Sequence, residues 1–220
     1  MRNHLGPALL ILALLLAMMR VDTAAAQGAT PPELAPLRTV RESALLLFNG
    51  RPLQVCQREW QSWNRIHGVC QDLATATLYD QQLIRGTIVA FVLFDGVRYE
   101  RVNEQTEWSA TPDERFYPDR DLGDALFRIA EEAEVTRVGP VELGGIAATH
   151  YQYWVLDEAH NEAAGGQVVY DQFVTAAGQV LQSQSHVRGA VPGLGDGVLT
   201  EIRSFSDFNG PIVIVAPGGE

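Results

Sequence analysis

Cys56 and Cys70 are the first residues of this 220-residue chain whose type and spacing invite chemistry. A thiol pair can close a disulfide, supply half a metal site or stay free. There is no third cysteine and only His67 lies nearby, so a metal site is short of ligands. In an oxidising compartment the pair closes as a disulfide, stabilising the fold by roughly 3 kcal/mol. Asp157-Glu158-Ala159-His160 spells a helicase motif, and Asp157, His160 and Glu162 are metal-ligating types. The same stretch reads as a solvated loop after a strand. All sixteen basic residues are arginine, which excludes a phosphate-loop lysine and a Schiff-base lysine. "GLGDG" (193–197) lacks the strand-then-helix context that cradling a phosphate needs. No G-x-S-x-G elbow and no H-E-x-x-H occurs. His150, in an alternating strand beside Tyr151, reads as a packed, hydrogen-bonded histidine. No catalytic residue, metal ligand or cofactor is assigned, and the chain is expected not to be an enzyme.

The compartment follows from the start of the chain. Residues 1–26 carry Arg2 and His4, an apolar run from Leu5 to Met19, and "AAA" before Gln27. That is the order of a secretory signal peptide, with cleavage expected after Ala26. The apolar run is shorter than the ~20 residues that span a bilayer, and no cysteine stands at the cleavage point to take a lipid. A secreted or periplasmic protein, soluble after cleavage and without a transmembrane segment, is expected. The formal charge of −11 gives nothing to nucleic acid by counterion release, and no basic cluster holds an anionic membrane. Oligomeric state is not legible in the sequence.

The elements that must position any site are mostly strands. Residues 27–40 form a Pro-rich tether, expected to be loose, ahead of one domain over 41–220. Asn49-Gly50 marks a hairpin. From Leu53 to Cys70 two patterns compete. Leu53, Cys56, Trp60, Trp63, His67 and Cys70 share a helical face, yet a helix would hold the two cysteine backbones about 21 Å apart. A disulfide needs less than about 7 Å, which favours a hairpin turning near Trp63-Asn64, with Trp60 beside Ile66. Asp95-Gly96 is a second hairpin turn. It sets Phe94 opposite Val97, Leu93 opposite Arg98, Val92 opposite Tyr99 and Phe91 opposite Glu100. The strand ending at Phe94 is thus apolar on both faces, and something must cover the second. The cover expected is an amphipathic helix over 121–134, capped by Asp121, with Leu122, Ala125, Leu126, Ile129, Ala130 and Ala133 as its stripe. Strands then resume through Gly144-Gly145, a polar loop over 158–166, and a hairpin around "TAAG". Antiparallel strands with one clear helix make an α+β domain.

The order of these pieces carries a resemblance. Tyr99 and Trp108 precede a helix; a Gly-led strand ending "THYQYW" follows, then the hairpin "VVYDQFVTAAGQVLQ" and the closing "FSDFNGPIVIVAP". Over residues 85–217 the chain resembles the LolA-like carriers, and among them the LppX/LprG-type lipoproteins. The resemblance implies a curved antiparallel half-barrel wrapped over one or two helices, with an apolar cavity between the layers. It implies that the final strands finish the rim of the sheet, Asn209-Gly210-Pro211 being the corner. Phe205 and Phe208 would face opposite sides, and Asp207 and Asn209 would make local turn bonds. These residues, with Trp108 and Pro211, read as architectural.

The function expected is a non-enzymatic protein that carries or senses a lipid or acylated molecule. The cavity candidates are Val89, Phe91, Leu93, Leu122, Leu126 and Ile129. The alternative is a structural or sensory module of the same fold with a filled core and no ligand, in the manner of MucB/RseB.

Overall fold

Asn49-Gly50, Asp95-Gly96 and Gly144-Gly145 each reverse the chain with both residues at positive φ: 49° and 76°, 46° and 87°, 58° and 84°. Those are the dihedrals of two-residue turns whose twist matches the flanking strands. A computed structural model describes residues 26–73, 77–79, 82–84, 86–103, 107–113, 121–129, 132–191 and 193–218. The targeting segment through Ala25, and Ala130 of the expected helix stripe, lie outside the described residues.

Along the chain run β1 (Ala26–Gln27), β2 (Val40–Phe48), β3 (Arg51–Ser62), β4 (Arg65–Asp72), β5 (Thr77–Tyr79), β6 (Gln82–Ile84), β7 (Ile88–Phe94), β8 (Val97–Val102) and β9 (Ser109–Pro112). There follow α1 (Leu122–Phe127), β10 (Ala133–Leu143), β11 (Ile146–Val155), α2 (Glu158–Ala164), β12 (Gly166–Val174), β13 (Val180–Val191) and β14 (Gly195–Ser206). Twelve strands form one sheet in the order β1-β10-β11-β12-β13-β14-β2-β3-β4-β7-β8-β9, and β5 and β6 pair separately. Two meanders, β2 to β9 and β10 to β14, therefore meet at a β14–β2 seam, with Leu199 opposite Phe48 and Ser206 opposite Arg41.

The sheet curls into the expected half-barrel. Flat, β12 and β7 would stand about 29 Å apart at roughly 4.8 Å per strand. Yet Val174 of β12 and Phe91 of β7 belong to one buried cluster with Leu122, Leu126 and Phe127 of α1. Curvature brings those strands around so short a helix. Asp121 caps α1 as expected, accepting from the Asp124 amide at 3.0 Å. The helix nonetheless stops at Phe127, not at residue 134. Its last carbonyls have partners on the sheet: Gln172 Nε2 donates to Phe127 O at 2.7 Å and Arg203 Nη1 to Leu126 O at 3.4 Å. Side chains thus satisfy acceptors that another turn would have used. Ala133 belongs to β10, opposite Val155.

Five further expectations are corrected. The polar loop over 158–166 is α2, capped by Asp157, whose side chain accepts from Ala159 and His160, and closed by Gly165 in the left-handed conformation. The Pro-rich tether is not loose. Ala29 N donates to Val135 O and Ala35 N to Gly178 O, and Leu37 is buried. The closing "IVIV" does not extend the rim. β14 ends at Ser206, Asp207 and Asn209 take positive φ of 52° and 57°, and the chain crosses to the outer face. There Ile212 and Ile214 bury against Val92, Phe94, Tyr99 and Trp108. The face of β7 that carries Phe91 and Leu93 packs against α1, as expected, while the opposite face, with Val92 and Phe94, is covered by the chain's own carboxyl-terminal strap. The side chains of the corner bond across the chain, not locally. Asn209 Oδ1 accepts from Arg38 N at 2.7 Å, its Nδ2 donates to Pro36 O, and Asp207 pairs with Arg41. The same turn brings Phe208 onto the inner cluster that also holds Phe205, so the two do not face opposite sides. Pro211 is exposed where the strap begins.

Candidate functional site

The hairpin pattern of β3, β4, β7 and β8 fixes which side chains share the inner face. Reading across the strands, Trp60, Ile66, Leu93 and Arg98 form one row and Arg58, Gly68, Phe91 and Glu100 the next. Cys56, Cys70, Val89 and Val102 make a third. The pairings expected from the Asp95-Gly96 turn all hold. Cys56 and Cys70 are directly opposite one another, Cα atoms 4.1 Å apart, and joined as a disulfide. The helical alternative for this stretch is excluded by that pairing. Gly68 is what lets the middle row close. A Cβ there would meet Phe91 Cζ at 2.5 Å, so the ring lies on bare backbone beside the Arg58 stem.

These rows floor a hollow of about 610 Å³, lined by Val89, Phe91, Leu93, Ile66, Trp60 and Cys70 among apolar groups. Its polar lining is Gln54, Asp72, Thr87, Arg58, Arg98 and Glu100. Arg98 is committed to Glu100, its Nη2 2.6 Å from Oε1, and its guanidinium lies over Phe91 at 5.0 Å.

Beside the hollow stands a buried carboxylate. Glu42 Oε1 accepts from Arg58 Nη1 at 2.7 Å and from Arg203 Nε at 2.9 Å. Its Oε2 accepts from Trp60 Nε1 at 2.7 Å and Arg203 Nη2 at 3.2 Å. Burial works to raise the Glu42 pKa; hydrogen bonds and charge from Arg203 and Arg58, with the Trp60 N–H, outweigh it and hold the carboxyl below its ordinary value. Such a fully bonded charge can stay ionised in the interior. Beyond this clamp lie two further hollows. One of about 310 Å³ is lined by Leu126, Ile129, Tyr170 and Arg203 among others. The other, about 480 Å³, is lined by Ile129, Phe127, Leu34 and Tyr153 among others.

The structure thus divides the expected cavity residues. Val89, Phe91 and Leu93 share the 610 Å³ hollow, whereas Leu126 and Ile129 line the 310 Å³ one. Leu122 is buried in the cluster between them. Among the described residues the hollows are separate, and Trp60, Phe91 and the α1 side chains Leu122, Leu126 and Phe127 belong to one buried cluster. Sequence reasoning missed Glu42, Arg58 and Arg203. The available signal was a carboxylate in phase with Val40 and Ala44, on what should be the apolar side of β2.

On the outer face, Asp171 accepts from His150 Nε2 at 2.5 Å and lies 3.3 Å from His186 Nε2, and His150 stacks on Phe173. His150 is therefore the packed, bonded histidine expected. His160 meets the Tyr170 hydroxyl at 3.4 Å. Among the described residues no group of three His, Cys, Asp or Glu could hold a metal ion, and no helix is long and apolar enough to cross a membrane.

No family model matches the chain, and no curated protein matches its sequence. Solved structures do match. The Mycobacterium tuberculosis lipoprotein LppX aligns with a TM-score of 0.51 at 11% identity, covering 81% of this chain and 90% of its own. LprF from Mycobacterium bovis aligns with a TM-score of 0.50 at 13% identity, covering 83% and 90%. The chain has the LppX fold. The likeness spans 90% of LppX and 90% of LprF. At such identity it concerns architecture; no residue of the LppX fold is carried over as a ligand contact.

Proposed function

We infer that this chain is an exported, non-enzymatic binding protein that holds a lipid or acylated molecule against the inner face of its half-barrel. The observation that carries this reading is the 610 Å³ hollow, where Val89, Phe91, Leu93, Ile66 and Trp60 form an apolar floor beside charged groups. A concavity in which an apolar floor is flanked by polar and charged groups suits an amphiphile, and its volume falls within the ~300–1,000 Å³ of ordinary ligand sites. The LppX fold and the amino-terminal targeting pattern support the same reading. The test is native mass spectrometry of the purified exported chain, followed by organic extraction and uptake of a fluorescent fatty acid. Co-purifying or added acyl lipid should be retained. A clean apo mass with no uptake removes the proposal.

A second reading has one observation in its favour. The space directly between β7 and α1 is filled, Phe91, Leu122, Leu126 and Phe127 belonging to one packed cluster. A structural or sensory module that acts through protein contacts would need no more than that, and it is the reading left if no lipid binds.

A further inference from the structure

Arg58 does not use up its hydrogen-bonding capacity within the fold. Nη1 is bound to Glu42, while Nε and Nη2 have no partner among the described residues. Its side chain is 20% exposed and lines the 610 Å³ hollow. The other arginine of that hollow, Arg98, has both Nε and Nη2 on Glu100. Arg203 meets Glu42 through Nε and Nη2 and the Leu126 carbonyl through Nη1. Charge points the same way. Glu42 is one carboxylate between two guanidiniums, so the clamp carries a surplus positive charge inside a chain of net −11. That surplus sits at the end of the row Arg58, Gly68, Phe91, next to apolar floor. Asp72, the other acidic residue lining the hollow, stands opposite Gln54 two rows away, about 13 Å along the strand at roughly 3.3 Å per residue.

We propose that the hollow selects a single-chain amphiphile with a carboxylate head, the head on the free edge of Arg58 and the acyl chain on Phe91, Val89 and Leu93. This rests on the lipid-binding reading and goes beyond it by naming the head group and the residue that selects it. A guanidinium presents two parallel N–H groups that match the two oxygens of a carboxylate. The ester of the same acid offers no charge and presents a neutral carbonyl in place of two charged oxygens to the Nε and Nη2 edge of Arg58. Acid and ester carry the same tail, so the head alone decides between them.

The experiment compares hexadecanoate with methyl hexadecanoate, each displacing a fluorescent acyl probe from the full exported chain below micellar concentration. The acid should bind about ten- to a hundredfold more tightly, the range of a charge-assisted hydrogen bond. In Arg58→Met the ratio should collapse to within about twofold, and Arg58→Lys, which keeps a point charge without the fork, should fall between. Should Arg58→Met fail to fold, the native head-group ratio together with Arg58→Lys still decides. Equal binding of acid and ester overturns the head-group assignment and leaves lipid binding standing, whereas binding of neither removes both. A preference for the acid that survives Arg58→Met overturns the role of Arg58.

Discussion

Asp171 shows how a single side chain sets the acid limit of one face of the sheet. Burial would raise its pKa, but hydrogen bonds from His150 and His186, and their charge, hold it at about 2 against an ordinary 3.8. A carboxyl depressed in the folded state adds stability that is complete above about pH 4 and is lost as pH falls toward 2. One pKa unit corresponds to ~1.4 kcal/mol, so the contribution is about 2 kcal/mol. In Asp171→Asn the difference in urea-unfolding free energy from the native chain should shrink by about that amount between pH 4 and pH 2. A pH-independent difference would show that Asp171 is not the group responsible. Gly68 gives a second test at this scale. Adding one methyl forces Phe91 off its seat, so Gly68→Ala should cost about 1–3 kcal/mol and weaken probe uptake in the hollow. Stability equal to the native chain would mean the ring moves aside freely.

The strap and the hairpins behave differently at the level of elements. In the strap, alternate residues divide cleanly. Ile212 and Ile214 are buried, whereas Val213 and Val215 are 78% and 63% exposed. Ile214→Ala should destabilise by about 2–4 kcal/mol and expose Trp108, with a red-shifted emission. Val213→Asp should stay within about 0.5 kcal/mol. If the two cost the same, the strap does not seal β7. Hairpins were readable in the sequence because two-residue turns fix register locally: Asp95-Gly96 placed Val92 beside Tyr99, and the disulfide placed Cys56 beside Cys70. The length of α1 was not readable. Its apolar stripe continues to Ile129 and beyond, and what ends it are Gln172 and Arg203, contributed by strands far along the chain. The same holds for "IVIV", whose alternation suits a sheet strand as well as a strap; only the left-handed turns at Asp207 and Asn209 send it outward. The clamp on Glu42 was hidden for a related reason. Its partners come from β3 and β14, about 16 and 161 residues away.

For the whole molecule, the architecture was legible while the division of its interior was not. Antiparallel meanders and a crossing segment between β9 and β10 follow from turn chemistry and order. Whether Phe91 and Leu126 face one void or two depends on how far the sheet curls, which no local pattern encodes. The strand order has a kinetic corollary. Each meander grows by adding hairpins to its neighbour, closing short loops at small entropic loss. The junction of Phe48 with Leu199 must wait for partners some 150 residues apart to meet, the slow class of contact. Pulse-labelled hydrogen exchange during refolding should therefore find the amides of β2 and β14 facing each other protected last, after those of the β7–β8 and β10–β11 ribbons. Until that junction forms, two unpaired strand margins are open to water and to other chains, so the folding polypeptide is most prone to aggregate during the interval before its two halves join.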